Sequence, residues 1–127
     1  MGYTDFEFLK GYAETEEFPL VLCDIDFKIR FMNRIAAKKY EKYGGYEMIG
    51  RTLSAFLNEE AQSKVDMVVE WFKESADNNT VLSVSDTSCL KDIYMCALRD
   101  DDGKLIGFCS KHISRKQDES NPYETID

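Results

Sequence analysis

The sequence predicts an α+β domain: a five-stranded antiparallel sheet with helices packed on one face, preceded by a short N-terminal helix. Three observations predict it. The 127 residues are 43% hydrophobic and 31% charged with only 7 Gly and 2 Pro, a globular composition with room for one core. Two short strand-like runs lie near the start of the chain and three near its end. Between them the apolar spacing changes to the helical period, so the strands meet as one sheet and the helices cover one of its faces.

The elements follow in order. Over residues 4–13, Thr4 and Glu7 have capping-box spacing, and Phe6, Leu9 and Ala13 form one apolar stripe. Leu20 to Asp24 is a short apolar run that reads as a buried strand. Asp24 and Asp26 are turn formers, and residues 28–32 then alternate, with Ile29 and Phe31 on one face. Asn33 is an N-cap for a helix over 34–43, which Gly44 and Gly45 stop. Residues 46–57 read as one or two helical turns broken at Gly50. Asn58 caps the longest helix, 59–76, whose core stripe is Ala61, Val65, Val68, Phe72 and Ala76. Met67 and Trp71 flank that stripe, as core edge or as a partner strip. Strands are predicted over 80–85, 93–98 and 104–113, with a tight turn at Asp100 to Gly103 joining the last two. The polar residues from Lys116 read as a loose tail.

Charge excludes some partners. With 16 basic against 24 acidic residues the net charge is -8, which repels phosphate backbones and anionic headgroups. Neither nucleic acid nor membrane is expected. The first residues lack the basic and apolar regions of a signal peptide, and no run approaches the ~20 apolar residues of a membrane span. A cytoplasmic location is expected. Cys23, Cys89, Cys96 and Cys109 make no C-x-x-C pair, so reduced and mostly buried thiols are expected. A zinc site combining three of them with His112 would normally show tighter spacing.

Three stretches, in this order, resemble the PAS domain family. Residues 21–33, ending Ile29-Arg30-Phe31-Met32-Asn33 and followed by Ala36-Ala37, are similar to the family's opening hairpin, its I-x-F-x-N and its first helix. Gly45-Tyr46-Glu47-Met48-Ile49-Gly50 resembles its G-Y-x-x-E-x-x-G segment. Asp100-Asp101-Asp102-Gly103-Lys104-Leu105-Ile106-Gly107 resembles its last hairpin. The resemblance covers residues 19–114, leaving 1–18 as a flank and 115–127 as the tail. It implies a sensory module that binds a cofactor or metabolite between sheet and helices and signals through protein contacts. It also implies a homodimer through the leading helix around Phe6 and Leu9, and a signalling partner. A ligand-free dimerisation scaffold is the alternative. Flavin photosensors of the family carry a reactive Cys in G-x-N-C-R-F-L-Q; Leu53 stands at that place here, so no flavin adduct is expected. Haem-binding members commonly use a His on the long helix, and residues 59–76 hold none, so haem is not expected either. The family's closing D-I-T-x-R-K is replaced by His112-Ile113-Ser114-Arg115-Lys116. The reading is of a stand-alone domain or one cut from a longer chain.

Candidate ligand contacts come from the inward strand faces and the helical loops. Tyr94, Cys96 and Leu98 share one face of their strand, Ile93 and Met95 the other, and the sequence leaves open which face meets the helices. Taking the first set as inner, the strands offer Phe31, Tyr94, Cys96 and Phe108. The helical pieces offer Tyr40, Tyr43, Met48, Leu53 and Phe56, with a small apolar or aromatic molecule as the expected ligand. His112 reads as a surface residue at a strand end. No catalytic motif is present, and Asp24, Asp26, Asp86 and Asp92 lie in turns or at strand edges, so an isomerase-type enzyme is the weakest alternative.

Overall fold

Thr4 opens the first helix, α1 (Asp5–Ala13), through both halves of the capping box: its hydroxyl accepts from the Glu7 amide, and Glu7 reaches back to the Thr4 amide. The computed structural model describes residues 2–86 and 91–114. Capped as it is, α1 buries none of its residues, and Phe6 and Leu9 are each 68% exposed.

The sheet follows the predicted count. Strands β1 (Val21–Asp24), β2 (Ile29–Met32), β3 (Thr80–Asp86), β4 (Lys91–Arg99) and β5 (Leu105–Ser114) lie in the order β2-β1-β5-β4-β3. All four pairings are antiparallel. Two hairpins use one turn device. Asp24 Oδ1 accepts from the amides of Asp26 and Lys28, and Asp100 Oδ1 accepts from those of Asp102 and Lys104. The fourth residue of each turn is left-handed: Gly103 at φ 84° and Phe27 at φ 65°. A phenylalanine is strained there. It is held because its ring packs edge-on against Phe108, with ring centres 5.4 Å apart.

The predicted single helix over 34–43 is two pieces. Helix α2 (Arg34–Lys39) ends early, and tight 3-10 turns follow at Glu41–Tyr43, Gly45–Met48 and Leu53–Phe56. The backbone of Gly45 passes so close to Ala37 that a Cβ would stand 3.1 Å from the Ala37 carbonyl oxygen. An extended α-helix cannot make that fold-back. Helix α3 (Glu59–Glu74) is capped by Asn58 and buries Val69 and Phe72 fully, with Val65 and Val68 packed beside them. Met67 projects outward and Trp71 lies half across Phe72, ring centres 5.7 Å apart.

Arg99 closes the far end of α3. Its guanidinium donates to the carbonyls of Phe72, Ser75, Asn78 and Gly103 and to Asn79 Oδ1. The orphan carbonyls that end every helix are thereby tied to the β4–β5 hairpin. The core lies between the sheet and α2, the 3-10 turns and α3, centred on Ile29, Met32, Met48, Phe72, Met95 and Phe108. No helix among the described residues is long and apolar enough to cross a membrane. The predicted tail and Cys89 lie outside the described residues.

Candidate functional site

Strand geometry decides which side chains face the helices. On β1 and β2 the pairs are Val21 with Met32, Leu22 with Phe31, and Cys23 with Ile29. One residue, Arg30, is therefore extra on β2, a bulge that flips the side-chain alternation. Ile29 and Met32 both point inward and are fully buried, while Phe31 pairs with Leu22 on the other face. On β4, Ile93 and Met95 turn to the helices. On β5 the inward set is Phe108, Ser110 and His112.

Between these faces and the helical pieces lies a cavity of about 350 Å3. That is the lower end of the range in which small-molecule sites fall. Of the nine predicted contacts, Tyr40, Tyr43, Met48, Leu53, Phe56 and Phe108 line it. Phe31, Tyr94 and Cys96 do not. The bulge at Arg30 removes the first, and β4 presents Ile93 and Met95 in place of Tyr94 and Cys96. Val21, Ile29, Val65, Ile93 and Met95 complete the apolar wall. Tyr43 meets Phe56 edge-on at 6.2 Å, and the Arg51 guanidinium sits 4.9 Å above the Phe56 ring, so one rim is built of stacked side chains. Burial pushes the Tyr40 phenol above its ordinary pKa, so it stays protonated and able to donate.

The other rim is the part that sequence reasoning missed. His112 is not a surface residue: it is half-buried, lines the cavity and stacks on Phe18 with ring centres 5.5 Å apart. Its Nδ1 is buried and has no hydrogen-bond partner among the described residues. Burial, then Lys91, then Lys39, holds the imidazole below its ordinary pKa. Lys39 and Lys91 also line the cavity, and the Lys91 ammonium rests 5.6 Å from the centre of the Phe18 ring. Phe18 is itself set by Asn33, whose side chain donates to the Phe18 carbonyl and accepts from the amides of Leu20 and Ala36. The alternation of Lys91 with Ile93 and Met95, and of His112 with Phe108, was the signal that could have found this rim.

The remaining candidates are accounted for locally. Cys23, Cys96 and Cys109 are free thiols, and burial pushes Cys23 and Cys109 up to about 12, so both stay protonated. Among the described residues no group of three or more His, Cys, Asp or Glu is placed to hold a metal ion. Asp24 is engaged by its own turn amides and by Arg30 at 3.5 Å.

Neither the protein-family models nor the curated proteins give a match to this chain. Solved structures do. The C-terminal domain of a protein from Streptococcus mutans is 18% identical with a TM-score of 0.68, covering 99% of this chain and 92% of that one. A sensory box sensor histidine kinase from Vibrio cholerae is 13% identical with a TM-score of 0.57, covering 86% and 93%. The PAS domain of a protein from Colwellia psychrerythraea is 11% identical with a TM-score of 0.54, covering 86% and 99%. With its five antiparallel strands, helical pieces and N-terminal helix in the same arrangement, this chain has a PAS-like α+β fold.

Proposed function

We propose that the domain is a sensory module that binds a small, mainly apolar molecule between its sheet and helices. The observation that carries this reading is the cavity itself. Protein interiors normally close-pack, and an apolar space of about 350 Å3 walled by Met48, Leu53, Val65, Ile93 and Met95 is room that the side chains leave unfilled. A ligand-free scaffold would have no use for it. The structural neighbours described as a sensor kinase and a PAS domain agree with a sensory role. Strand β5 is the conduit. It is the central strand, and its inner residues Phe108 and His112 touch the cavity. A ligand shifts the resting state only through unequal affinity for two arrangements of that strand.

The test is a thermal-shift screen of small apolar acids, purines and aromatic compounds, run on the native chain and on Ile93→Trp. At least one compound is expected to raise the melting temperature of the native chain. Saturation near a hundred times Kd stabilises by about 2.7 kcal/mol. Ile93→Trp fills the space, so it should fold and lose the response. If no compound stabilises the native chain, or Ile93→Trp loses the ~1–3 kcal/mol of an overpacked core, the reading fails.

A second copy of the chain is the partner proposed for α1. The helix carries Phe6, Phe8, Leu9 and Tyr12, all exposed, and such a stripe costs solvation until something covers it. Light scattering should show a dimer for the native chain and a monomer for Phe6→Glu/Leu9→Glu. A native monomer, or a dimer that survives both charges, contradicts the assignment.

A further inference from the structure

The cavity's composition runs against that of the chain. The protein holds 24 acidic and 16 basic residues, yet among the described residues the cavity is lined by Lys39, Lys91 and His112 and by no Asp or Glu. These three are gathered at one end. His112 pairs across the sheet with Ile93, two residues along β4 from Lys91 and on the same face. Lys39 closes α2 beside them, and both lysines act on the imidazole. Neither lysine has a carboxylate within ion-pair distance among the described side chains, although Asp86 stands opposite Lys91 in the β3–β4 register. The ion pairs among the described residues are Arg30 with Asp24 and Lys73 with Glu70. The two ammonium groups rest instead near aromatic rings, Lys39 at 5.8 Å from Tyr40 and Lys91 at 5.6 Å from Phe18. A half-buried ring flanked by two cations, Lys91 half-buried and Lys39 exposed, with no carboxylate beside them among the described side chains, offers an anion a complementary seat. The opposite end is walled by Met48, Leu53, Phe56 and Val65, with the Tyr43 ring and the Arg51 guanidinium at its rim.

We propose that the molecule taken by this cavity is a carboxylate. Its apolar or aromatic body lies among Met48, Leu53, Phe56 and Met95, and its anionic head lies between Lys39, Lys91 and His112. The assignment rests on the ligand-binding reading above and adds the chemical class. A neutral analogue of the same shape gains the apolar burial and leaves the cationic end uncompensated, so the site rejects it.

A pH dependence follows from the same geometry. Lys39 and Lys91 flank the imidazole on the cavity side; Glu16, Cys109 and Lys111 lie with it around the groove on the other side of the strand. In the free protein His112 is held below its ordinary pKa, chiefly by burial and then by the lysines. A carboxylate at the ring raises that pKa. As pH falls, the bound form takes up its proton before the free form does, so affinity for an acid rises through that interval.

Calorimetric titration of the full chain with 3-phenylpropanoate and octanoate, each against its own amide, tests the assignment. At pH 7 an acid is expected to bind about ten-fold or more tightly than its amide, the worth of one hydrogen bond to a charged group. Lys39→Gln and Lys91→Gln should each weaken the acid several-fold and leave the amide unchanged. His112→Gln should abolish the rise in acid affinity toward lower pH. Equal binding of acid and amide, or tighter binding of the amide, overturns the carboxylate assignment and leaves the cavity reading standing. Binding of none of the four overturns it as well, while the wider screen decides the cavity reading separately.

Discussion

Replacing Gly107 with alanine is expected to cost about 3 kcal/mol or to prevent folding, beyond the usual range of a surface change and at the top of that for overpacking. Gly107 sits on the central strand, paired with Asp24 on one side and Leu98 on the other. A Cβ there would run into the Cys23 carbonyl oxygen and stand 3.1 Å from the Asp24 Cα. The obstruction is backbone, which has no rotamer to move. Nor can β5 retreat, because β4 holds its other edge along nine paired positions. Relief requires β1 to part from β5, and that opens the floor of the cavity at Cys23 and Phe108. Gly11→Ala is the control: a Cβ there meets nothing within 4 Å. Denaturant unfolding should show a large loss for the first change and none for the second. A Gly107→Ala chain as stable as the native one contradicts the strand pairing described.

Asn33→Ala is expected to lose about 3 kcal/mol. The side chain is fully buried and makes three hydrogen bonds, to the amides of Leu20 and Ala36 and to the carbonyl of Phe18. The cap alone is worth ~0.5–2 kcal/mol, and each buried group left without a partner adds ~1–3 kcal/mol before relaxation. Asn33→Ser separates the two roles. Serine can cap α2 but cannot span to residues 18 and 20, so it should recover only part of the loss. Both variants should also free Phe18 from His112, because the Phe18 carbonyl is one end of that tether. Denaturation that leaves Asn33→Ala within ~0.5 kcal/mol of the native chain would show that the residue is only a solvated surface group.

Asn33 also shows where the sequence was legible and where it was not. Its place before a helix made the cap readable, since capping is local. Its hold on Phe18 spans fifteen residues and belongs to the tertiary fold. The five strands and the long helix were readable for the same local reason, as was the Asp-led turn of each hairpin. The inner face of β2 was not: strict alternation put Ile29 and Phe31 together, and one bulged residue at Arg30 parted them. The inner face of β4 was open in the sequence because both faces carry apolar side chains, and burial alone chose Ile93 and Met95 over Tyr94 and Cys96. The break after α2 follows from the approach of Gly45 to Ala37, which no periodicity encodes. His112 was misread because a polar residue near a strand end is ordinarily solvated. Its place on the inward face of β5 and the stacking of Phe18 on its ring make it half-buried.

Entry of a small molecule into the space between the sheet and the helices can be observed directly. Methyl-detected NMR of the full chain, titrated with the compound that most raises the melting temperature, locates it directly. Shifts are expected to concentrate on the cavity methyls of Met48, Leu53, Val65, Ile93 and Met95, with Met67 and Leu82 on exposed surfaces unmoved. Shifts confined to α1 or to the exposed surfaces, with the cavity methyls still, would contradict it.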